Sequence, residues 1–204
     1  MRTKSIANIV NNNLKDLPIL LICLFFFMFG LSIGIFGEIL LSAEEKESLQ
    51  SFIDLNLFSS QIPDLPYVFL LSIIKNLFLL IVIAVSGLTI IGFPATLLVL
   101  IYKGAALGFT SSLLIETLGT KGIVLILLSL VPQNIVLIPV FLIAAVASLK
   151  ISLSILGNSP MDIKKGLRER AGSFIALMFI LSIFLVGGCL IESFISPFLQ
   201  QLIV

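Results

Sequence analysis

Five polar side chains lie deep inside long apolar runs, and they are the residues of this chain whose types and positions could do chemistry. They are Lys75, Asn76, Lys103, Gln133 and Asn134. Each lies about nine or ten residues inside a run that is long enough to cross a bilayer, so all five fall within roughly a few ångströms of its midplane. A lysine at that depth costs about 3 kcal/mol, and it is therefore expected to face the protein interior or a water-filled cavity.

Two interpretations of this polar level stay open. In the functional interpretation, the amines and amides form a pocket for an anionic or carbonyl-bearing ligand, or part of a conduction path. In the structural interpretation, the two lysines bond the three amide side chains and the backbone carbonyls that Pro132 frees. Hydrogen bonds of that kind in a membrane contribute about 0.6 kcal/mol each, so the network would orient the helices rather than strongly stabilise them.

The residues of a catalytic or metal site are missing from the sequence. It contains no histidine, and its two cysteines, Cys23 and Cys189, lie in distant apolar runs as small buried hydrophobes. No metalloprotease, nucleotide-binding or nucleophile-elbow motif is present, and no pair of carboxylates lies at the midplane. Ser111 and Ser112 could pair with a lysine base, but nothing singles them out. We predict a protein that is not an enzyme and that uses no cofactor and no metal.

The composition places most of the chain in lipid. Of its 204 residues, 59% are hydrophobic and only 11% are charged, against about 25% charged in soluble domains. The net charge of +1 gives no reason to expect a nucleic-acid partner. We predict an all-α integral membrane protein, a single multi-pass membrane domain over residues 1–204. Its five predicted spans are 17–40, 67–91, 95–118, 123–156 and 173–191.

The fourth apolar run is too long for a simple crossing. Its residues 123–156 would extend about 50 Å as a helix, against a hydrocarbon core of about 30 Å. The run contains the segment SLVPQNIVLIPV at 129–140, in which Pro132 and Pro139 each lack the N–H that a helix needs. We therefore predict a helix broken at Pro132, with the adjacent amides bonding the freed backbone groups. A re-entrant segment at 123–131 is the alternative.

Glycines spaced four residues apart predict close helix packing. Gly30 and Gly34 form one G-x-x-x-G pair, with Gly37 near the same face, and Gly104 and Gly108 form another. Small residues let two helix backbones approach each other in lipid. Partner helices, or a second copy of the chain in a homodimer, could dock on these two faces. The general enrichment of glycine in membrane helices is the alternative explanation.

The connections carry a charge bias. Residues 42–66 hold five acids and one lysine. Ser42 and Glu45 at the start of this loop are typical of a helix capping box, and an amphipathic helical pattern follows them. Residues 157–172 hold four basic residues, including a predicted short helix at 160–171, and the N-terminal tail holds three. The positive-inside rule therefore predicts a cytoplasmic N-terminus and a cytoplasmic 157–172 loop. The 42–66 loop and the amphipathic C-terminal tail would face outward.

Two segments carry a family resemblance. YKGAALGFTSS (102–112) and LVPQNIVLIPV (130–140) resemble stage II sporulation protein M of endospore-forming Firmicutes, as do the length and the number of spans. The wider family usually shows P-H-G with a glutamate further on. Here Gln133 and Asn134 replace the histidine and glycine, and Leu137 stands about where the glutamate would be, which favours the sporulation branch.

The resemblance implies a role in engulfment. A protein of this family would recruit and hold stage II sporulation proteins P and D at the septal membrane. Those two partners carry the peptidoglycan-cutting activities, an amidase/endopeptidase and a lytic transglycosylase. The alternative function, from another class, is a permease or channel subunit whose site is the midplane polar level, since discontinuous midplane helices are typical of transporters.

Overall fold

The protein is helical throughout the part that its computed structural model describes, which is residues 2–58, 65–89, 92–156 and 160–195. Side chains are described for 16–51, 65–89, 92–153 and 172–194. The helices are α1 (Arg2–Ile39), α2 (Ala43–Phe58), α3 (Leu65–Gly87), α4 (Gly92–Leu118), α5 (Thr120–Leu125), α6 (Val131–Leu156) and α7 (Pro160–Leu190). Two short π-helical segments, Ile126–Leu130 and Ile191–Ile195, follow α5 and α7.

The prediction of an all-α membrane protein with five spans is confirmed. Five helical stretches are long and apolar enough to cross a bilayer. They are Asp16–Ile39, Leu65–Gly87, Gly92–Leu118, Thr120–Leu153 and Gly172–Phe194. Within the described ranges no residue belongs to a β-strand.

The fourth span forms the centre of the bundle, where α6 packs against α1, α3, α4 and α7. Half of its most apolar window is buried, against 22–33% in the other four spans. Ala144, Ser148 and Ser152 lie one turn apart on its buried face and are fully enclosed. Because these side chains are small, the neighbouring helices can approach the α6 backbone closely.

The fourth span remains helical past Pro132, which differs from the predicted break. Its irregularity lies one turn earlier, in the π-helical segment Ile126–Leu130, and Pro132 falls in the first turn of α6. A proline has no N–H to donate to the carbonyl four residues before it. A local π-helical turn or a side-chain donor can compensate for this missing hydrogen bond. Asn134 Nδ2 donates to the Leu130 carbonyl oxygen at 2.8 Å, whereas the carbonyl that Pro132 leaves without its helical donor is that of Leu128, so the predicted bond from this amide to the freed carbonyl is not the one observed. The re-entrant alternative at 123–131 is not observed, because these residues belong to the continuous stretch Thr120–Leu153.

The two G-x-x-x-G pairs pack against each other within the chain. A β-carbon on Gly30 would lie 2.7 Å from the Cα of Ile101, and one on Gly34 would lie 2.7 Å from the Phe109 nitrogen. Reciprocally, a β-carbon on Gly104 would lie 2.8 Å from the Leu31 nitrogen. Since no real β-carbon approaches backbone so closely, glycine is required at these positions. We call this contact of Gly30, Gly34, Gly104 and Gly108 the α1–α4 seam.

The seam corrects the hypothesis that partner helices or a second copy dock on these glycines. The faces of Gly30 and Gly34 are already covered by α4, and the faces of Gly104 and Gly108 by α1. Gly37 is not part of the seam, because a β-carbon there would meet nothing within 4 Å. Another helix therefore has no access to the four seam glycines, whereas Gly37 remains uncovered.

The remaining predictions concern the connections. The capping box is confirmed: the Ser42 backbone N–H donates to Glu45 Oε2 at 2.9 Å, and this bond holds the pKa of Glu45 below its usual value. The predicted helix at 160–171 is not separate, because α7 runs unbroken from Pro160 to Leu190 with no proline to end it. Residues 59–64, 157–159 and 196–204, including the predicted amphipathic tail, lie outside the described residues, as do the side chains of the basic segment 160–171.

Candidate functional site: a lateral polar groove

A groove of about 890 Å³ separates α3 from α4 and has α6 as its floor. We call it the lateral groove. Its polar lining residues are Ser72, Lys75, Asn76, Tyr102, Lys103, Thr110, Gln133, Asn134 and Glu192. The five polar side chains that the sequence placed at one membrane depth therefore all line a single groove.

The lateral groove opens on the side of the bundle. Phe78 on the α3 rim, and Leu98 and Tyr102 on the α4 rim, are each more than 60% exposed. Lining residues extend along α4 from Ala95 to Thr110, which corresponds to a length of about 22 Å. The groove is thus an elongated cleft, and its open side would face lipid or another membrane helix.

Lys103 is the better satisfied of the two midplane lysines. Its Nζ donates to Asn76 Oδ1 and lies 4.7 Å from the centre of the Phe141 ring, within the range of a cation–π contact. Asn76 is buried, and its Nδ2 in turn donates to the Ser72 carbonyl oxygen at 3.0 Å. These contacts tie α4 to α3 across the floor of the groove.

Lys75 and Gln133 are the less satisfied members of the predicted network. Lys75 is exposed on the rim of the groove, and none of the hydrogen bonds or ion pairs of the described residues involves it. Gln133 is only 8% exposed, yet its Oε1 accepts no hydrogen bond. The structural interpretation of the polar level therefore accounts for Lys103, Asn76 and Asn134 and leaves these two groups unexplained.

Glu192 is a lining residue that sequence analysis missed. It lies in the π-helical segment Ile191–Ile195, one residue beyond the predicted end of the fifth span. The Ser72 hydroxyl donates to its carboxylate, so this acid is held by α3. An acid directly after a long apolar run was the only signal in the sequence, and such an acid is usually solvated.

A second polar cluster joins α2 to the ends of α1 and α4. Glu38 is fully buried, accepts a 2.7 Å hydrogen bond from the Ser112 hydroxyl, and lies 3.5 Å from Lys46 Nζ. Lys46 also pairs with Glu116 at 2.7 Å, and that bond raises the pKa of Lys46 above its usual value. The cluster gives the buried carboxylate its counter-charge.

The pairing of Glu38 with Ser112 follows from the α1–α4 seam. Residues later in α1 contact residues later in α4, so these two helices are parallel. Gly30 with Gly104, Gly34 with Gly108 and Glu38 with Ser112 all share one sequence offset of 74 residues. The offset is visible in the sequence, but it indicates the Glu38–Ser112 pairing only once α1 and α4 are known to be neighbours.

The side chains considered as candidates for catalysis or metal binding lie in other contacts. The Ser112 hydroxyl, one of the two candidate nucleophiles, donates to a carboxylate rather than facing a lysine. Both cysteines are buried. The searched part of the chain has no group of three or more histidine, cysteine or acidic side chains close enough to hold a metal ion.

Together these features define a class, a multi-pass helical membrane protein with a polar groove open to the side of its bundle. The family model of stage II sporulation protein M matches residues 23–197, and the chain belongs to this family. The resemblance carried by residues 102–112 and 130–140 is thus confirmed over most of the chain. The comparison with curated proteins and the comparison with solved structures found no match. The chain is a multi-pass membrane protein of a sporulation family.

Proposed function

We propose that the chain is a membrane scaffold that recruits and anchors the hydrolases known as stage II sporulation proteins P and D at the septal membrane during engulfment. The observation that carries this proposal is the family match over residues 23–197. In this scheme the two partners cut peptidoglycan, and the chain contributes no catalysis and no cofactor.

The geometry supports a scaffold better than a permease. The polar side chains of the midplane lie in a cleft on the side of the bundle, where a membrane partner has access. The core of the bundle behind that cleft is filled by large apolar side chains such as Leu100, Leu149 and Leu185. A lateral cleft backed by a packed core suits docking rather than conduction.

The proposed orientation places the N-terminus in the cytoplasm and the C-terminus outside. Its support is the distribution of basic residues, with four in 157–172 and one against five acids in 42–66. In this orientation α2 and the Glu38–Lys46–Glu116 cluster lie on the side where the cell wall is cut. Accessibility labelling that reached cysteines at positions 164 and 200 from the same side would contradict it.

Co-purification tests the scaffold. The tagged full chain, extracted in mild detergent from sporulating membranes, is expected to retain the P protein, and to retain the D protein through the complex. The control is a tagged, unrelated five-span protein at equal membrane abundance. Equal recovery of the P protein with the control, or peptidoglycan cleavage by the purified chain alone, would contradict the proposal.

A further inference from the structure

We propose that the lateral groove receives one transmembrane helix of a partner protein, and that this helix carries a carboxyl side chain at mid-depth opposite Lys75. The inference deepens the scaffold role, on which it rests, by stating the chemistry of the docked helix.

Some polar groups of the lateral groove have hydrogen-bond partners and others have none. Lys103 and Glu192 already have hydrogen-bond partners in the neutral side chains of Asn76 and Ser72, and their opposite charges balance within the groove. Lys75 has no described partner, and the buried Oε1 of Gln133 has no donor. Lys75, Lys103 and Glu192 together give the groove one positive charge in excess, and because the Gln133 oxygen is enclosed, the group within reach of a docked helix is Lys75. A carboxyl group on that helix would neutralise the excess charge.

Lys75 lies near the middle of the predicted span, far from the lipid headgroups. Lys75 lies ten residues after Leu65 and twelve before Gly87, so each end of α3 is about 15–18 Å away. The phosphate of a lipid lies at the edge of a hydrocarbon core about 30 Å thick, which is about 15 Å from this level. An anion carried on a spanning helix reaches Lys75 directly, whereas a lipid phosphate would have to leave its interface.

The lateral groove has a shape that fits a transmembrane helix. The α4 rim presents Ala95, Leu98, Tyr102, Ala106 and Thr110 at intervals of three or four residues, which is one continuous helical face. The small residues on this face let another backbone approach, and its length of about 22 Å covers most of the hydrocarbon core. An elongated, mostly apolar cleft with polar groups at its middle is complementary to an apolar helix with a central acid.

The test uses the purified full chain in phosphatidylcholine vesicles with labelled peptides of about 20 leucines that carry glutamate, or leucine, at the centre. Association is measured by energy transfer. We expect the glutamate peptide to bind at least about tenfold more tightly than the leucine peptide, as for a charged hydrogen bond in a desolvated site. Lys75→Met should remove this preference, and the control Lys121→Met, at an exposed position outside the groove, should keep it.

A charge-reversal variant distinguishes the loss of a specific charge pair from misfolding of the variant. Lys75→Glu is expected to reject the glutamate peptide and to bind a peptide with a central lysine instead. The proposal is overturned if the two peptides bind wild type equally, or if Lys75→Met keeps the preference. It is also overturned if added phosphatidylglycerol displaces the glutamate peptide and is itself retained in a Lys75-dependent way, since the groove would then be a lipid site.

The peptide experiment and the co-purification experiment test the groove and the scaffold role independently. If the peptides show no preference but the P protein still co-purifies with the chain, the scaffold role stands and docking occurs on another surface. If the peptides bind as expected but neither hydrolase co-purifies, the groove stands and its partner is a different membrane protein.

Discussion

Replacing Gly104 by leucine is expected to destabilise the bundle strongly, because this glycine lies in the α1–α4 seam. A β-carbon there would lie 2.8 Å from the Leu31 nitrogen and still closer to the Phe27 carbonyl oxygen, so the clash is with backbone and no side chain can rotate away. A retreat of α4 from α1 would also disturb its contacts with α3 and α6. Overpacking of a tight core costs about 1–3 kcal/mol or more, and we expect at least 3 kcal/mol here.

The measurement is thermal unfolding of the purified protein in detergent. A loss of about 3 kcal/mol corresponds to a fall in Tm of about 6 °C or more for a chain of this size. The matched control is Gly37→Leu, on α1, the other helix of the seam, where a β-carbon would meet nothing within 4 Å. If Gly104→Leu and Gly37→Leu melt at the same temperature, the α1–α4 seam is not formed as described.

Reversing the charge of Lys46 is expected to release α2 from the ends of α1 and α4. The Lys46 ammonium lies between the carboxylates of Glu38 and Glu116, and Glu38 is fully buried. Lys46→Glu would place three carboxylates together and leave the buried one without a counter-charge. We therefore expect amide hydrogen exchange in residues 43–51 to accelerate at least about tenfold.

Lys46→Arg is the matched control, because it keeps the positive charge and can still reach both carboxylates. It should exchange at close to the wild-type rate. Glu47→Lys, which changes the charge of an exposed neighbour, should also leave the exchange unchanged. Protection of residues 43–51 that survives in Lys46→Glu would mean that other contacts hold α2.

The sequence was sufficient to predict the spans and the depth of the polar residues. Long apolar runs fix the number of crossings, and a rise of about 1.5 Å per residue converts position into depth. Depth alone brought Lys75, Asn76, Lys103, Gln133 and Asn134 to one level, and the structure has all five lining one groove. The Ser42–Glu45 capping box was equally local and therefore predictable.

What the sequence left undetermined was which helices are neighbours and which way each side chain points. A G-x-x-x-G pair allows a close approach but does not say whose helix makes it, so the α1–α4 seam was read as a surface for other proteins. The rotation of α3 turns Asn76 inward and Lys75 outward, although they are adjacent in the chain. The π-helical segment before Pro132 depends on how α6 packs at the centre, which a local motif does not specify.

In the proposed scaffold, the chain holds a hydrolase in the membrane through its lateral groove. The most direct measurement is photo-crosslinking in sporulating cells, with the photoreactive residue at Tyr102 on the groove rim or at Phe25 on α1. These positions are matched in exposure, at 62% and 64%, and only Tyr102 lines the groove. We expect an adduct with the stage II sporulation P protein at Tyr102 that is lost with Lys75→Glu and absent at Phe25. Adducts of equal yield at both positions, or an adduct at Phe25 alone, would contradict it.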